Sequence, residues 1–325
     1  MTNVLDTAIL FGEESTYGTP ATLTRGFEGK ADSWKREQEI IHSTGFQAGL
    51  QAKRSDRQVS VNMGGEGALE IDVLNSGFGM LLQAMLGSVS GPTQIAATTA
   101  YKTTAATTAD DPQDSFTVQV QRTDMGGTQR DFTHHGCVMT GWSLSQAVSG
   151  LLVASMNFDF EDSDTSTGAG TPAYPASATA PFDWTMAAAT IDSVSTDIMS
   201  FELNGDLALK TDRRFLRGSE LKKIPCRSGV PVFTGSMDLE FNDLTNYAQF
   251  VAGSVVPIVV TWTGAVIEGS EVDEVVITLA ACKFTGESPE SNLSDVPKQS
   301  LPFEVLWDGS NPAVQIEYTS VDTAL

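Results

Sequence analysis

Side chains that could catalyse a reaction or hold a metal are few in this sequence, and they are poorly spaced. Its three histidines are His42 and the adjacent pair His134 and His135. Histidine is a common metal ligand, but no cysteine stands at a zinc-site spacing, so we expect the pair in a loop or at a strand end. Neither a Gly-x-Ser-x-Gly turn nor a convincing Ser/His/Asp triad is present. The sequence therefore favours a non-enzymatic protein without a metal or cofactor.

Two weaker signals of chemistry remain. Aspartate and glutamate are plentiful, so a glycosidase-type carboxylate pair stays open, although nothing distinguishes any one pair. The segment Gly64-Gly65-Glu66-Gly67 lacks the Lys-Ser/Thr of a phosphate-binding loop and lies within a predicted strand region. We expect a bulge or a close backbone approach at these glycines.

Basic residues are concentrated in two segments, although the chain has only 19 Lys and Arg against 41 Asp and Glu. One interpretation is a pair of positive loops that dock on an acidic face of another copy, because complementary charge fixes the register of an association. The alternative is a solvated hairpin with ordinary charges. The predicted contact residues are Lys53, Arg54 and Arg57 in the first segment, and Lys210, Arg213, Arg214, Arg217, Lys222, Lys223 and Arg227 in the second.

Composition limits the class of protein. The 325 residues are 41% hydrophobic, which is typical of a globular chain, and no apolar stretch is long enough to span a membrane. The first residues lack the features of a secretory signal, so we expect synthesis in a cytoplasm. A net charge of −22 makes tight binding to nucleic acid or to anionic lipid unfavourable. An acidic wall would, however, suit a duct through which DNA slides.

The second half of the chain repeats the first half weakly but in order. Cys137 matches Cys282 and Phe158 matches Phe303, both 145 residues apart, and an upstream block that includes Gly65 and Gly235 matches at 170. We expect both cysteines and both phenylalanines to be buried core residues. Cys226 lies in the second basic segment, where we expect it to be exposed.

Hydrophobic periodicity predicts a mainly β protein with two modules, each of which has one short α-helix. Alternating strands flank helical spacing over 77–87 and again over 243–252, where Leu244, Tyr247, Ala248 and Val251 share a face. The predicted organisation is an N-terminal arm (1–25), a first module (26–161), a linker (162–180) and a second module (181–325). An Ala/Thr-rich insertion near 88–112 has no counterpart in the second module.

Four stretches carry a resemblance to a known family. They are the arm segment Gly12-Glu13-Glu14-Ser15-Thr16-Tyr17-Gly18-Thr19, the strand–loop–strand from Phe27 to Val73, the helix from Gly77 to Gly87, and the closing strand Gly136-Cys137-Val138-Met139-Thr140-Gly141 with its partner around Phe158. In this order they resemble the tail tube (major tail) proteins of long-tailed bacteriophages. The similarity covers the first module and, through duplication, most of the second.

The resemblance implies β-sandwich or barrel modules, six of which close a ring with a β-lined channel. Rings would stack into the conduit for DNA ejection in the virion tail, with a long loop between two early strands touching the next ring. Two modules per chain make a homotrimeric ring with pseudo-sixfold symmetry fit better than a homohexamer. The implied partners are other copies of the chain, a tape measure protein in the lumen, and terminator and tail-tip proteins. Genomic DNA would pass without tight binding, and no membrane would be involved.

Two other classes of protein stay open at the level of sequence. One is a β-sandwich carbohydrate-binding or hydrolytic protein of a phage or a cell surface. The other is a different ring-forming tail component, such as a terminator, which makes one ring and stops.

Overall fold

The computed structural model describes residues 7–45, 47–110, 114–176, 179–286 and 296–325. The predicted mainly β class is confirmed, and two short α-helices occur in these ranges, α1 (Gly79–Leu86) and α2 (Thr245–Ala252). The predicted arm, insertion, linker and second module each include some positions outside the described residues, namely 1–6, 111–112, 177–178 and 287–295.

Antiparallel strands make up both halves of the chain. Those of the first half are β1 (Ala8–Glu14), β2 (Arg25–Phe27), β3 (Gly29–Asp32), β4 (Lys35–His42), β5 (Gln58–Asp72), β6 (Gly87–Gln94), β7 (Tyr101–Thr107), β8 (Ser115–Thr123), β9 (Gln129–Ala147), β10 (Val153–Phe160) and β11 (Asp162–Asp164). Those of the second half are β12 (Ala187–Ile191), β13 (Val194–Thr196), β14 (Ile198–Asp206), β15 (Leu209–Lys210), β16 (Cys226–Arg227), β17 (Val232–Glu240), β18 (Val255–Glu268), β19 (Glu271–Phe284), β20 (Lys298–Val305) and β21 (Val314–Ser320).

The two halves pair their strands in the same order. In the first half β1 pairs with β2 and β8, β9 pairs with β8, β10 and β11, and β5 pairs with β10, β3 and β4. In the second half β12 pairs with β13 and β18, β19 pairs with β18, β20 and β21, and β17 pairs with β20 and β14. Beside β17, therefore, β14 holds the place that β3 and β4 hold beside β5.

Two strand pairings join the halves. The C-terminal part of β9 pairs with β14 from Gly141 opposite Asp206 to Ala147 opposite Ser200, so that one sheet continues from the first half into the second. The Ala/Thr-rich insertion forms the hairpin β6–β7, and β7 pairs with β21. The insertion thus adds its strands to the sheet of the second half.

Two segments differ from the predicted organisation. Residues 8–14, expected in an arm, form β1, which is almost wholly buried between β2 and β8. The apolar run Ala8-Ile9-Leu10-Phe11 drives this burial, and the Gly- and Pro-rich residues that form the turn come only after it. Residues 162–164, expected in the linker, form β11 against β9.

The helices lie where the spacing predicts them but differ in burial. Gly87 (φ 80°) and Gly253 (φ 63°) end α1 and α2 in the left-handed conformation that glycine adopts without strain. Helix α1 is buried along most of its length, whereas α2 has no fully buried residue. The predicted cap Asp243 accepts a hydrogen bond from the Thr245 N–H (2.7 Å), one residue before the structural N-cap Leu244.

Strand register gives the spacing between the halves. Phe158 lies opposite Met139 on β9 and Gly67 on β5, and Phe303 lies opposite Phe284 on β19 and Gly235 on β17. Met139 follows Cys137 by two residues, and Phe284 follows Cys282 by two residues. The register of the closing strands therefore fits the predicted spacing of 145 residues. For the upstream block, strand register sets Gly235 against Gly67, 168 residues apart. The surroundings of Gly235 match those of Gly65 instead, because an added Cβ would meet the ring of Phe303 at Gly235 and the ring of Phe160 at Gly65, so the predicted spacing of 170 stays a prediction.

The core contains all four of the residues proposed as repeat equivalents. Cys137, Cys282, Phe158 and Phe303 are each at most 2% exposed. The predicted close backbone approach is present at Gly65, where an added Cβ would lie 2.2 Å from the ring of Phe160. Burial of this kind contributes about 1.5–3 kcal/mol for each large apolar side chain.

Candidate functional site

A continuous sheet with one polar face extends across both halves of the described chain. It runs through β4, β5, β10, β9, β14, β17 and β20. Because side chains alternate across a strand, Leu69 and Ile71 of β5 point into the core while Glu70 and Asp72 point outward. The same alternation in the other strands gives the sheet one buried face and one outward face.

Cross-strand pairing places the outward residues in rows. One row crosses six strands in the order Glu70, Ser155, Ser143, Asn204, Thr234 and Glu304. Carboxylates and small hydroxyl or amide side chains dominate, and we call this surface the polar face. On the six strands of this row, its acidic residues are Glu66, Glu70, Asp72, Asp159, Glu202, Asp206, Asp238, Glu240 and Glu304.

Few positive groups offset this charge. Lys30 reaches the face from β3 and lies 2.8 Å from Asp72 and 3.7 Å from Glu70. Lys298 lies opposite Glu240 in the register of β17 and β20, and Lys35 lies opposite Glu66 in that of β4 and β5. The polar face is therefore net acidic over the described strands.

The second basic segment is a loop that is braced against its own chain. Arg213 and Arg217 donate to main-chain carbonyls of the loop, at Ile224 (2.7 Å) and Leu221 (2.8 Å). Arg214 donates to the carbonyls of Glu220 (2.8 Å) and Met63 (2.7 Å), and the second of these belongs to β5 of the first half. The loop thus lies across the end of the first half rather than projecting freely.

Lys222 corrects the prediction for this segment. Its ammonium is buried and pairs with the carboxylate of Asp159 on β10. A group enclosed in this way cannot reach another copy, so Lys222 does not belong to the inter-ring set. Arg227 donates to the Thr108 carbonyl (2.7 Å), whereas Lys210 and Lys223 are exposed, with Lys223 lying over the ring of Phe215.

Asp159 lies at the edge of a pocket between the halves. The pocket, of about 420 Å³, is also lined by Glu66, Asn157 and Asp206 of the polar face. Burial raises the pKa of Asp159 to about 6, against the lowering effect of the Lys222 ammonium. The pair therefore fixes the loop to the first half through a desolvated ionic contact.

The first basic segment is exposed at the end of the β4–β5 hairpin. Arg54 forms a 2.7 Å ion pair with Asp56, and Lys53 and Arg57 are exposed beside it. The hairpin also exposes more than half of Ile40, Ile41 and Val59. Apolar as well as positive groups are therefore available at this end of the molecule.

The prediction that the histidine pair lies in a loop or at a strand end is wrong, because both residues lie inside β9. His134 stacks on Trp34 with ring centroids 5.1 Å apart, and burial lowers its pKa to about 4. His135 Nε2 lies 2.7 Å from Asp164 of β11. Apolar neighbours on both sides of His134 make it a core residue. Within the described ranges no group of three or more His, Cys, Asp or Glu side chains is arranged to hold a metal ion, and the Asp164 carboxylate beside His135 does not complete one.

Glu14 is a structural centre that the sequence did not single out. Its buried carboxylate accepts hydrogen bonds from the Gly18 and Gly136 N–H groups (2.8 and 2.9 Å) and from the hydroxyls of Ser115 (2.8 Å) and Thr117 (2.9 Å). This one side chain ties the turn after β1 to β8 and β9. Its position in the arm segment that carries the family resemblance is the feature of the sequence that could have identified it.

Cys226 is half-buried in β16, whereas the sequence predicted an exposed residue.

Both described α-helices have eight residues, and neither is long and apolar enough to cross a membrane.

Comparison with known proteins identifies the family. The family model described as "Phage tail tube protein" matches residues 5–305. No curated protein matches the chain. The matched segment covers nearly the whole chain, including both halves and the strands that form the polar face. The chain therefore belongs to the phage tail tube protein family, and it is a structural component of a bacteriophage tail.

Proposed function

We propose that this chain forms rings that stack into a tail tube, and that its polar face lines the conduit for DNA ejection. The observation that carries the proposal is the β9–β14 junction, which makes one sheet of both halves with a net acidic face on one side. A sheet of this kind, continued from copy to copy, has no free edges once it closes into a ring.

Three copies per ring follow from treating the two halves as copies of one module. The β9–β14 junction then serves as the template for the contact between copies. Over the described residues, β3 and β4 pair only on the side of β5. Their open edge corresponds to the edge of β14 that accepts β9. We propose that it accepts the end of the second half of the next copy, and that three such contacts close a cyclic ring.

A net acidic lumen explains the charge of the polar face. Phosphate–cation contacts create non-specific affinity for DNA, so a wall of carboxylates and hydroxyls keeps DNA mobile. Glu70, Glu202, Asp238 and Glu304 would recur around each ring. A tape measure protein would occupy the same lumen before ejection, and terminator and tail-tip proteins would bind the two ends of the tube.

Stacking of rings is assigned to the loops that leave the sheet at its ends. The exposed β4–β5 hairpin presents Ile40, Ile41 and Val59 together with the predicted contact residues Lys53, Arg54 and Arg57. In the second segment, the proposed contact includes Lys210, Arg213, Arg214, Arg217, Lys223 and Arg227. It does not include Lys222, which is buried against Asp159. Apolar burial would supply affinity and the charges would fix register.

Negative-stain images of the purified chain test this function. The proposal expects tubes of stacked rings. Single rings that do not stack would favour a terminator, and a soluble small oligomer without rings would favour the carbohydrate-binding or hydrolytic alternative.

Charge reversal tests the stacking contact separately. The triple variant Lys53→Glu, Arg54→Glu and Arg57→Glu should polymerise more weakly than the parent, most clearly at low salt, because exposed charges are screened beyond about 10 Å at 0.1 M salt. Arg130→Glu, an exposed site on β9, serves as a control. Polymerisation equal to that of the parent at every salt concentration would leave the three residues as ordinary solvated charges.

A further inference from the structure

The two helices occupy corresponding places in the halves, yet only one of them is covered. Helix α1 follows β5, and α2 follows β17. All but one of the eight residues of α1 are buried, whereas α2 buries none fully. Helix α1 packs against the hairpin β6–β7 that follows it and also against β9 and β21, whereas α2 packs against β19 and leads almost directly into β18.

The uncovered side of α2 is apolar. Leu244, Ala248 and Val251 are spaced four and three residues apart, so they share one face of the helix. Leu244 and Val251 are 64% and 65% exposed, and Val255 beyond the helix end is 53% exposed. Phe250, on the other side, packs against the core and fixes the orientation of the helix. The sequence predicted this apolar face, and Leu244, Ala248 and Val251 remain exposed in the part of the chain that the structure describes.

The environment of α1 shows how a neighbouring half can cover a helix at this position. The residues just before α1 contact the second half through Phe78, whose ring centroid lies 6.1 Å from that of Tyr318. Ser76 and the Gly77 N–H both donate to Asp322, at 2.7 and 2.6 Å. Within α1, the Met85 carbonyl accepts a hydrogen bond from Trp142 Nε1 (2.8 Å), and Trp142 lies opposite Gly205 in the β9–β14 pairing, so α1 lies at the same junction of halves.

We propose that the exposed face of α2 docks on the first half of the next copy in the ring. This inference rests on the proposed ring, in which the second half of one copy meets the first half of the next. In that junction α2 takes the place that α1 takes within the chain. Strands β9 and β19 correspond in the two halves, and they pair with β11 and β21 respectively. Where α1 lies near β21 of its own chain, α2 would therefore lie near β11 of the neighbouring copy.

The surface beside β11 suits a helix. The residues that follow this strand are small, and Thr165, Ser166, Gly168 and Ala169 are exposed. Side chains of this size allow a helix backbone to approach closely and bury Leu244 and Val251. The neighbouring copy thus supplies in the ring the cover that the hairpin β6–β7 supplies to α1.

Thiol labelling tests the contact directly. In a Cys226→Ser background, the Val251→Cys variant should react rapidly with a maleimide in the dilute, unassembled chain and about tenfold more slowly in rings, because reactivity follows exposure. Val194→Cys is the matched control, since Val194 is 63% exposed on β13, and its labelling rate should not change.

A second pair of variants measures the same contact without labels. Leu244→Asp with Val251→Asp should unfold like the parent, because neither side chain is buried in the chain. It should require about tenfold more protein to form rings, a change of 1.4 kcal/mol. If parent rings form and Val251→Cys reacts equally fast in both states, this inference is wrong and the proposed function stands. If the parent forms no rings, the proposed function fails and this inference fails with it.

Discussion

Replacing Lys222 with methionine should lower the free energy of unfolding by about 3–5 kcal/mol, the cost of leaving one charge of a buried pair without its partner. Lys222 and Asp159 are 5% and 7% exposed. The other carboxylate oxygen of Asp159 is buried and has no hydrogen-bond partner among the described residues.

Urea denaturation of the unassembled chain measures this effect. A loss of that size should move the midpoint by about 1–2 M urea. Lys210→Met is the matched control, because Lys210 lies on the same loop in an exposed ion pair with Asp212 (3.1 Å), and exposed pairs contribute only about 0–1 kcal/mol. The double variant Lys222→Met with Asp159→Asn should recover most of the loss, since no buried charge remains.

The pH dependence of Lys222→Met gives a further check. Burial already raises the pKa of Asp159 above its ordinary value, and removing the ammonium raises it further. A folded state that binds the proton more readily gains stability as pH falls. The defect should therefore be larger at pH 7.5 than at pH 4.5. If both lysine variants unfold like the parent but Lys222→Met blocks polymerisation, Lys222 is an inter-ring group and the bracing role is refuted.

Two further predictions concern buried groups of the first half. The pKa of His134 is lowered to about 4, below the ordinary 6.5, so the folded chain should lose stability as pH falls from 6.5, by about 3 kcal/mol at pH 4. His134→Phe, measured by thermal unfolding across this range, should flatten the profile, and an unchanged profile would assign the acid sensitivity elsewhere. Glu14→Ala should cost about 3–5 kcal/mol in the same assay because four donors lose their acceptor. Glu13→Ala, at an exposed neighbour, should cost little, and equal effects would show that the four hydrogen bonds contribute nothing specific.

Local pattern was enough to predict the strand class and the position of both helices. The alternation of Ser115 to Gln121 predicted β8, and helical spacing followed by glycine predicted the end of α1 at Gly87. These signals are short in range, since each depends on the few residues that share one element. The repeat also indicated that Cys137 and Cys282 belong to the core.

Contacts between distant segments could not be predicted in this way. The positive charge of Lys222 indicated a surface residue, yet its partner Asp159 lies 63 residues earlier on a strand of the other half. The apolar face of α2 resembled that of α1, but α1 is covered partly by the hairpin β6–β7, which has no counterpart among the described residues of the second half. The polar face likewise became apparent only once strand register aligned its acidic residues into rows.

The number of chains in one ring tests the central claim most directly. Electron cryo-microscopy of the assembled protein, reconstructed without imposed symmetry, should show three chains per ring, with six similar halves around an acidic lumen. Native mass measurement of a single ring should then give about 104 kDa, which is three times 34.6 kDa. Six chains per ring, at about 208 kDa, would contradict the proposal that two halves of each chain complete the ring, and a lumen not lined by the polar face would contradict its assignment as the conduit.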